Sequence, residues 1–203
     1  KHIQELQRLL GPAQPGQPIV AMPGAGTQVP LWLLGSSLYS AQLAAQLGLP
    51  FAFASHFAPR MLLQAIQIYR ETFRPSAQLA APYVAIGVPL VAAPTDDEAT
   101  YLASSTHQRV LGILTGRRGQ LPPPVENFLP QLDHGAQAAI ADFLAAAVIG
   151  GPDTVRAGLQ RLAELTQANE LVLVSDVYES ALRMRGLDIA AAAARSLNAA
   201  VTQ

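Results

Sequence analysis

The sequence predicts an α/β fold built on parallel strands. Short apolar runs without polar alternation recur along the chain, and each is followed by a segment with helical periodicity; strands of that kind are buried on both faces, as in parallel sheets. Glycine, proline and capping residues stand at the junctions between the two patterns. Half of the 203 residues are hydrophobic and only 13% are charged, which is enough apolar material for a real core.

The opening segment, Lys1 to Leu10, is helical and stops at Gly11-Pro12. Residues 11–28 are rich in proline and glycine and form a loop lead-in. Val29-Pro30-Leu31-Trp32-Leu33-Leu34 is the first buried strand, ended by Gly35-Ser36-Ser37, and a helix from Leu38 to Leu47 closes on Gly48. Pro50 to Ser55 is the second strand. The helix after it starts at Pro59 and places Met61, Leu62, Ala65, Ile66, Tyr69 and Phe73 on one stripe.

The third strand runs from Tyr83 to Ala92 and leads into Thr95-Asp96-Asp97-Glu98, a capping-box pattern. The helix beyond it carries Leu102, Val110, Ile113 and Leu114 and ends near Gly116. A helical insertion covers roughly 116–148, first proline-rich and then an alanine-rich helix to about Val148. Gly151-Pro152 begins a helix with Val155, Leu159, Leu162 and Ala163 facing inward, Glu170 to Ser175 is the fourth strand, and Ala181 to Ala200 is a final helix. The expectation is one domain, 1–203, with βα units from residue 29 onward. Parallel strands joined by helices make right-handed crossovers. Four such strands do not close a barrel, which takes about eight, and two open apolar edges would be left. A chain that starts at Lys1 within a helix is expected to be cut from something longer.

Several functions are excluded on bulk properties. A formal net charge of −1 with 13 basic residues provides no footprint for nucleic acid or an anionic membrane. No uninterrupted apolar window is long enough for a membrane span. The absence of cysteine removes disulfides and thiolate metal sites and suits a cytoplasmic protein. The four histidines lack ligand spacing, so no metal is expected.

The chemistry-bearing residues cluster at strand ends. Leu34-Gly35-Ser36-Ser37, with Ser40 one turn on, lies between a strand and a helix start, where unpaired amides and the helix dipole favour a phosphate. On these residues alone, serine capping of the helix by Ser36 or Ser37 is the better explanation of the turn. Ser55 and His56 end the second strand, and a histidine there can face a cofactor ring or be satisfied by a carbonyl. Asp176 is expected to cap the following helix, and Arg109 and His107, in mid-helix, to have solvated or inter-helix roles. Arg117-Arg118 is read as part of a solvated loop, with a mobile basic loop over an anion as the alternative.

Taken together, Val29 to Ser37, Ser40 to Phe57, Tyr69-Arg70-Glu71 with Phe73-Arg74-Pro75-Ser76, Ala92 to Ala99, Gly151 to Val155 and Glu170 to Asp176 resemble, in order, the luciferase-like flavin-dependent monooxygenases. The resemblance implies a (β/α)8 TIM barrel of which this chain supplies roughly the C-terminal four βα units. It implies an FMN-dependent oxidoreductase acting with dioxygen on a small organic substrate, its reduced FMN supplied by a flavin reductase or by NAD(P)H, and a homo-oligomer. The family's segment matching Ser36, Ser37 and Ser40 is similar to one that holds the flavin phosphate; Leu34 and Gly35 would border the flavin, and Ser55 and His56 would lie near its ring. Luciferase relatives have an acidic residue where Ser36 stands, so the contact there would come from backbone. The family's N-terminal strands, which add a histidine stretch and a basic phosphate contact, have no counterpart here, and no catalytic residue is assigned. Two other readings stand beside this one: a non-catalytic flavin-binding protein with a reduced barrel, and an inactive fragment that only dimerises.

Overall fold

The computed structural model describes residues 2–201, with side chains through Leu197. Lys1, placed in the opening helix by the sequence, lies outside the described residues. The order is α1 (His2–Leu10), β1 (Leu33–Gly35), α2 (Leu38–Leu47), β2 (Phe51–Phe53), α3 (Leu62–Thr72), β3 (Val84–Ala92), α4 (Asp96–Leu114), α5 (His134–Phe143), β4 (Val148–Gly150), α6 (Pro152–Thr166), β5 (Glu170–Val174) and α7 (Ser180–Val201).

Four strands form one parallel ladder, β1–β2–β3–β5. These are the four segments expected from their apolar runs. Leu33 aligns with Phe51 and Val84, and Gly35 with Phe53, Ile86 and Leu171. The first run is shorter as a strand than expected. Before Leu33 the chain pairs with a side chain instead of a neighbouring strand: Gln78 Nε2 donates to Leu31 O (2.8 Å) and Leu31 N to Gln78 Oε1 (3.2 Å).

The expected alanine-rich helix to Val148 is corrected. Helix α5 ends at Phe143, and Val148–Gly150 is a fifth strand, β4, paired only with Leu90–Ala92 at the far end of β3. Two consecutive β-branched residues, Val148-Ile149, prefer this extended backbone, and Gly150-Gly151 let α6 turn away closely. Asp96 Oδ1 accepts from Gly151 N (2.6 Å) and locks that junction to the start of α4.

Successive strand residues point to opposite faces. One face, carrying Leu33, Phe51, Phe53, Val84, Ile86 and Val88, is buried under α2, α3, α6 and α7, where Ala41, Ala44, Ala45, Leu62, Ile66, Tyr69, Val155, Leu159, Leu162 and Ala190 complete the core. Alanines on α2 allow that helix to lie close to the sheet. The other face carries Leu34, Ala52, Ala85, Gly87 and Val172, small residues beside two large exposed ones: Leu34 is 70% exposed and Val172 50%.

Three further expectations are revised. Met61 belongs to a 3-10 turn and is 43% exposed, so the buried stripe of α3 begins at Leu62. Thr95 Oγ1 accepts from Glu98 N (3.1 Å), but the Glu98 carboxylate bonds Arg185 on α7 instead of returning to the cap. A guanidinium partner is a stronger donor than a cap amide. Leu114, the last residue of α4, is 46% exposed and does not join the core.

Candidate functional site

Parallel strands put all their C-terminal ends on one edge of the sheet, and the expected site residues collect there. At β1 the chain passes through Gly35 and Ser36 into α2, with Ser37 as the N-cap. The cap is a full capping box. Ser40 N donates to Ser37 Oγ (3.2 Å), Ser37 N to Ser40 Oγ (3.3 Å), and Ser40 Oγ to Ser37 O (2.6 Å). A Cβ on Gly35 would overlap the Ser40 side chain, so glycine is required for the strand to meet the cap. Ser37 and Ser40 are therefore engaged with each other. Ser40 is buried, Ser37 is exposed, and Ser36 is half-buried. Leu38 and Tyr39 occupy the first helical positions, whose amides a helix cannot pair internally.

Ala54 N donates to Gly35 O (2.9 Å), which ties the end of β2 to the end of β1. Beyond it Ser55, fully buried, donates its hydroxyl to Gly87 O on β3. His56 follows, and its ring lies over Gly87: a Cβ there would come within 2.6 Å of His56 Nδ1. Gly87 aligns with Val172, so the imidazole rests on the open face of the sheet and not on the helix-covered one. Phe57 packs on it with ring centroids 4.2 Å apart.

Burial holds the His56 pKa below the usual value; the nearby Asp176 carboxylate pulls it back up, and Arg109 pushes it down again. His56 is thus a neutral imidazole at neutral pH. Its Nδ1 is buried with no hydrogen-bond partner among the described residues. Such an atom incurs a desolvation penalty unless a ligand or water meets it.

Asp176 is not a helix cap, as the sequence had suggested. It forms an ion pair with Arg109 of α4, both partners about a third exposed, across the end of β5. Neither residue type at those positions announces this contact, because 67 residues separate them. Gly87 was also missed as a site residue, although a lone glycine inside the apolar run Val84–Ala92 is a signal for close approach. His107 is buried and its pKa is lowered by desolvation.

Among the described residues, no group of three or more histidines and carboxylates is placed to hold a metal ion. No helix among them is long and apolar enough to cross a membrane. What the edge does present is a helix start with unpaired first-turn amides at β1, and a partly unsatisfied imidazole on the open face at β2.

Comparison with known proteins identifies the family of the chain. The family model for luciferase-like monooxygenases matches residues 3–168. A luciferase-like monooxygenase from Escherichia coli (strain K12) is 40% identical over 190 residues, covering 94% of this chain and 57% of that protein. The uncharacterized protein YvbT of Bacillus subtilis (strain 168) is 44% identical over 171 residues, covering 84% of this chain and 51% of its own length. The solved structure of apo-MsnO8 superposes with a TM-score of 0.77 at 30% identity, covering 95% of this chain and 58% of that one. The chain spans about half the length of the curated relatives it matches. With its parallel α/β ladder and its site at the C-terminal strand edge, this chain belongs to the luciferase-like monooxygenase family.

Proposed function

We propose that this chain contributes the flavin-phosphate site and a ring-facing histidine to an FMN-dependent monooxygenase that acts, with dioxygen, on a small organic substrate. The supporting observation is the α2 start at the end of β1, on the same sheet edge as His56 over Gly87. The first-turn amides of Leu38 and Tyr39, the Ser37 hydroxyl and the Ser36 backbone would hold a phosphate, which the positive end of a helix favours. Ser40 and Ser55, both buried and both spent on internal bonds, act as positioning residues: one fixes Ser37, the other the turn that carries His56. Leu34, open on the inner face, would border the isoalloxazine and exclude water.

The residues present fit such a group, because the unpaired first-turn amides of α2 and the half-buried His56 ring, seated on Gly87 at the open face, stand on one sheet edge where a phosphate and a planar ring would meet them. When bound, reduced FMN supplies the electrons that activate dioxygen. The protein's own work is to anchor the phosphate, offer a neutral imidazole to the ring system, and keep the face dry. We further propose that the four-strand ladder is part of a closed (β/α)8 barrel and that 1–203 fold as one domain within it. Both outer strands, β1 and β5, have a single strand neighbour among the described residues, and Leu34 and Val172 lie open on the face a barrel would enclose. Such an enzyme would receive reduced flavin from a reductase or from NAD(P)H, in the cytoplasm, as a homo-oligomer.

The test is Ser37→Asp. Aspartate caps a helix as well as serine does, so folding is kept, but its carboxylate repels a phosphate. We expect FMN affinity to fall by about tenfold or more, roughly 1.4 kcal/mol, while riboflavin, which lacks the phosphate, binds as before. Unchanged FMN binding would remove the phosphate assignment. FMN binding without transfer of oxygen from dioxygen to an organic substrate would leave a flavin-binding protein and not an oxygenase.

A further inference from the structure

A cavity of about 540 Å³ lies between the last turns of α4 and the segment that follows it, lined by Phe57, Ile113, Pro122 and Phe143 together with Arg109, Arg117 and Arg118. That volume is in the range of small-molecule sites. Arg109 is neutralised by Asp176, but neither Arg117 nor Arg118 has an ion-pair partner among the described residues. The cavity therefore combines an apolar body with uncompensated positive charge. Arg109 Nε is buried there without a hydrogen-bond partner among the described residues.

The wall is built, not incidental. Ser104, Gln108 and Gly112 stand four residues apart on one face of α4, and each receives backbone of the 116–125 excursion. Val125 N donates to Ser104 Oγ (2.7 Å), Gln108 Nε2 donates to Pro123 O (2.9 Å), and Arg117 O lies where a Cβ on Gly112 would come within 2.6 Å. Gly116, at φ +74°, makes the reversal after α4. This face thus fixes the backbone of the excursion whose Arg117 and Arg118 line the cavity. The cavity also adjoins the strand-end site, since Phe57 lines it and stacks on His56, and Arg109 lines it and pairs with Asp176 beside His56.

We infer that this cavity takes the organic substrate, and that the substrate is a small molecule with an anionic head, carboxylate or sulfonate, on an apolar body. The head meets Arg117 and Arg118, which offer forked donors matched to planar or tetrahedral oxyanions; the body lies against Phe57, Ile113 and Phe143, directed toward His56. This rests on the flavin reading for its chemistry, but the binding itself can be measured without flavin.

Calorimetric titration of the purified chain with 2-naphthoate, naphthalene-2-sulfonate and the neutral isostere 2-naphthamide tests it. At least one anion should bind about tenfold more tightly than the amide, and which one does so identifies the head group. Arg117→Gln/Arg118→Gln should abolish that preference, Arg117→Lys/Arg118→Lys should restore part of it, and Gly112→Val, which displaces the Arg117 backbone without removing charge, should weaken both anions. FMN affinity of the glutamine variant should equal that of the wild type. Equal binding of anions and amide, an unchanged preference in the glutamine variant, or a loss of FMN binding in that variant would each overturn the assignment. Naphthoate binding that survives while FMN fails to bind would sink the flavin reading and leave the anion site standing.

Discussion

The imidazole of His56 occupies the space that any side chain at position 87 would fill, with Nδ1 at 2.6 Å and Cε1 at 3.0 Å from the position of a Cβ on Gly87. His56 lies in the turn after β2 and Gly87 lies within the neighbouring β3, and their complementarity sets where the imidazole at the strand edge can lie.

Gly87→Ala should therefore destabilise the fold by about 1–3 kcal/mol, the usual cost of overpacking, read by denaturant unfolding. The same substitution in a His56→Ala background should cost much less. If the two backgrounds show the same loss, the strain is in the strand and not against the ring.

The titration of His56 should report both of its charged neighbours. Asp176 raises its pKa and Arg109 lowers it, so Asp176→Asn should move the His56 pKa down and Arg109→Gln should move it up, followed by imidazole proton shifts in NMR. Shifts in the opposite senses would mean that the ion pair does not face the ring. The pair itself, about a third exposed on each side, should give a coupling on the order of 1 kcal/mol or less in a double-mutant cycle.

Acid should weaken the protein through two histidines. His56 and His107 are both held below the usual histidine value of 6.5, in each case first by burial. The unfolded chain then binds more protons than the folded one as pH falls through 6.5, so stability declines there and levels off below the folded pKa values. His107→Gln should flatten part of this decline in the thermal midpoint measured against pH. An unaltered pH profile in His107→Gln would show that this residue does not contribute.

Tyr69 is fully buried, and its hydroxyl bridges two elements: it donates to Leu49 O (2.8 Å) and accepts from Tyr83 N (3.2 Å). Tyr69→Phe keeps the ring packed against Phe51 and Phe73 but strands a carbonyl and an amide, a loss of about 1–3 kcal/mol. A change below a few tenths of a kcal/mol in unfolding experiments would show that water replaces the hydroxyl.

Most of the architecture was legible in the sequence because its causes are local. The apolar runs around Leu33, Phe51, Val84 and Leu171 became the four strands of the main ladder. Gly11 closes α1 and Gly48, at φ +61°, closes α2, as their positions suggested. The serine turn after Leu34 proved to be a capping box, so its local role was visible while its use toward a ligand depends on what approaches the edge. Strand β4 was hidden because the alanine run 145–147 carries the helical pattern of α5 straight into it, and only its pairing with Leu90–Ala92 makes it a strand. The pairing of Asp176 with Arg109, the seating of His56 on Gly87 and the folding of Arg117 back over Gly112 join positions whose chemistry is ordinary in isolation. Local propensity and hydrophobic period determined which segments are helices and strands; which side chains meet at the strand edge was decided only by packing, because burial leaves few partners for each charge and few spaces for each ring.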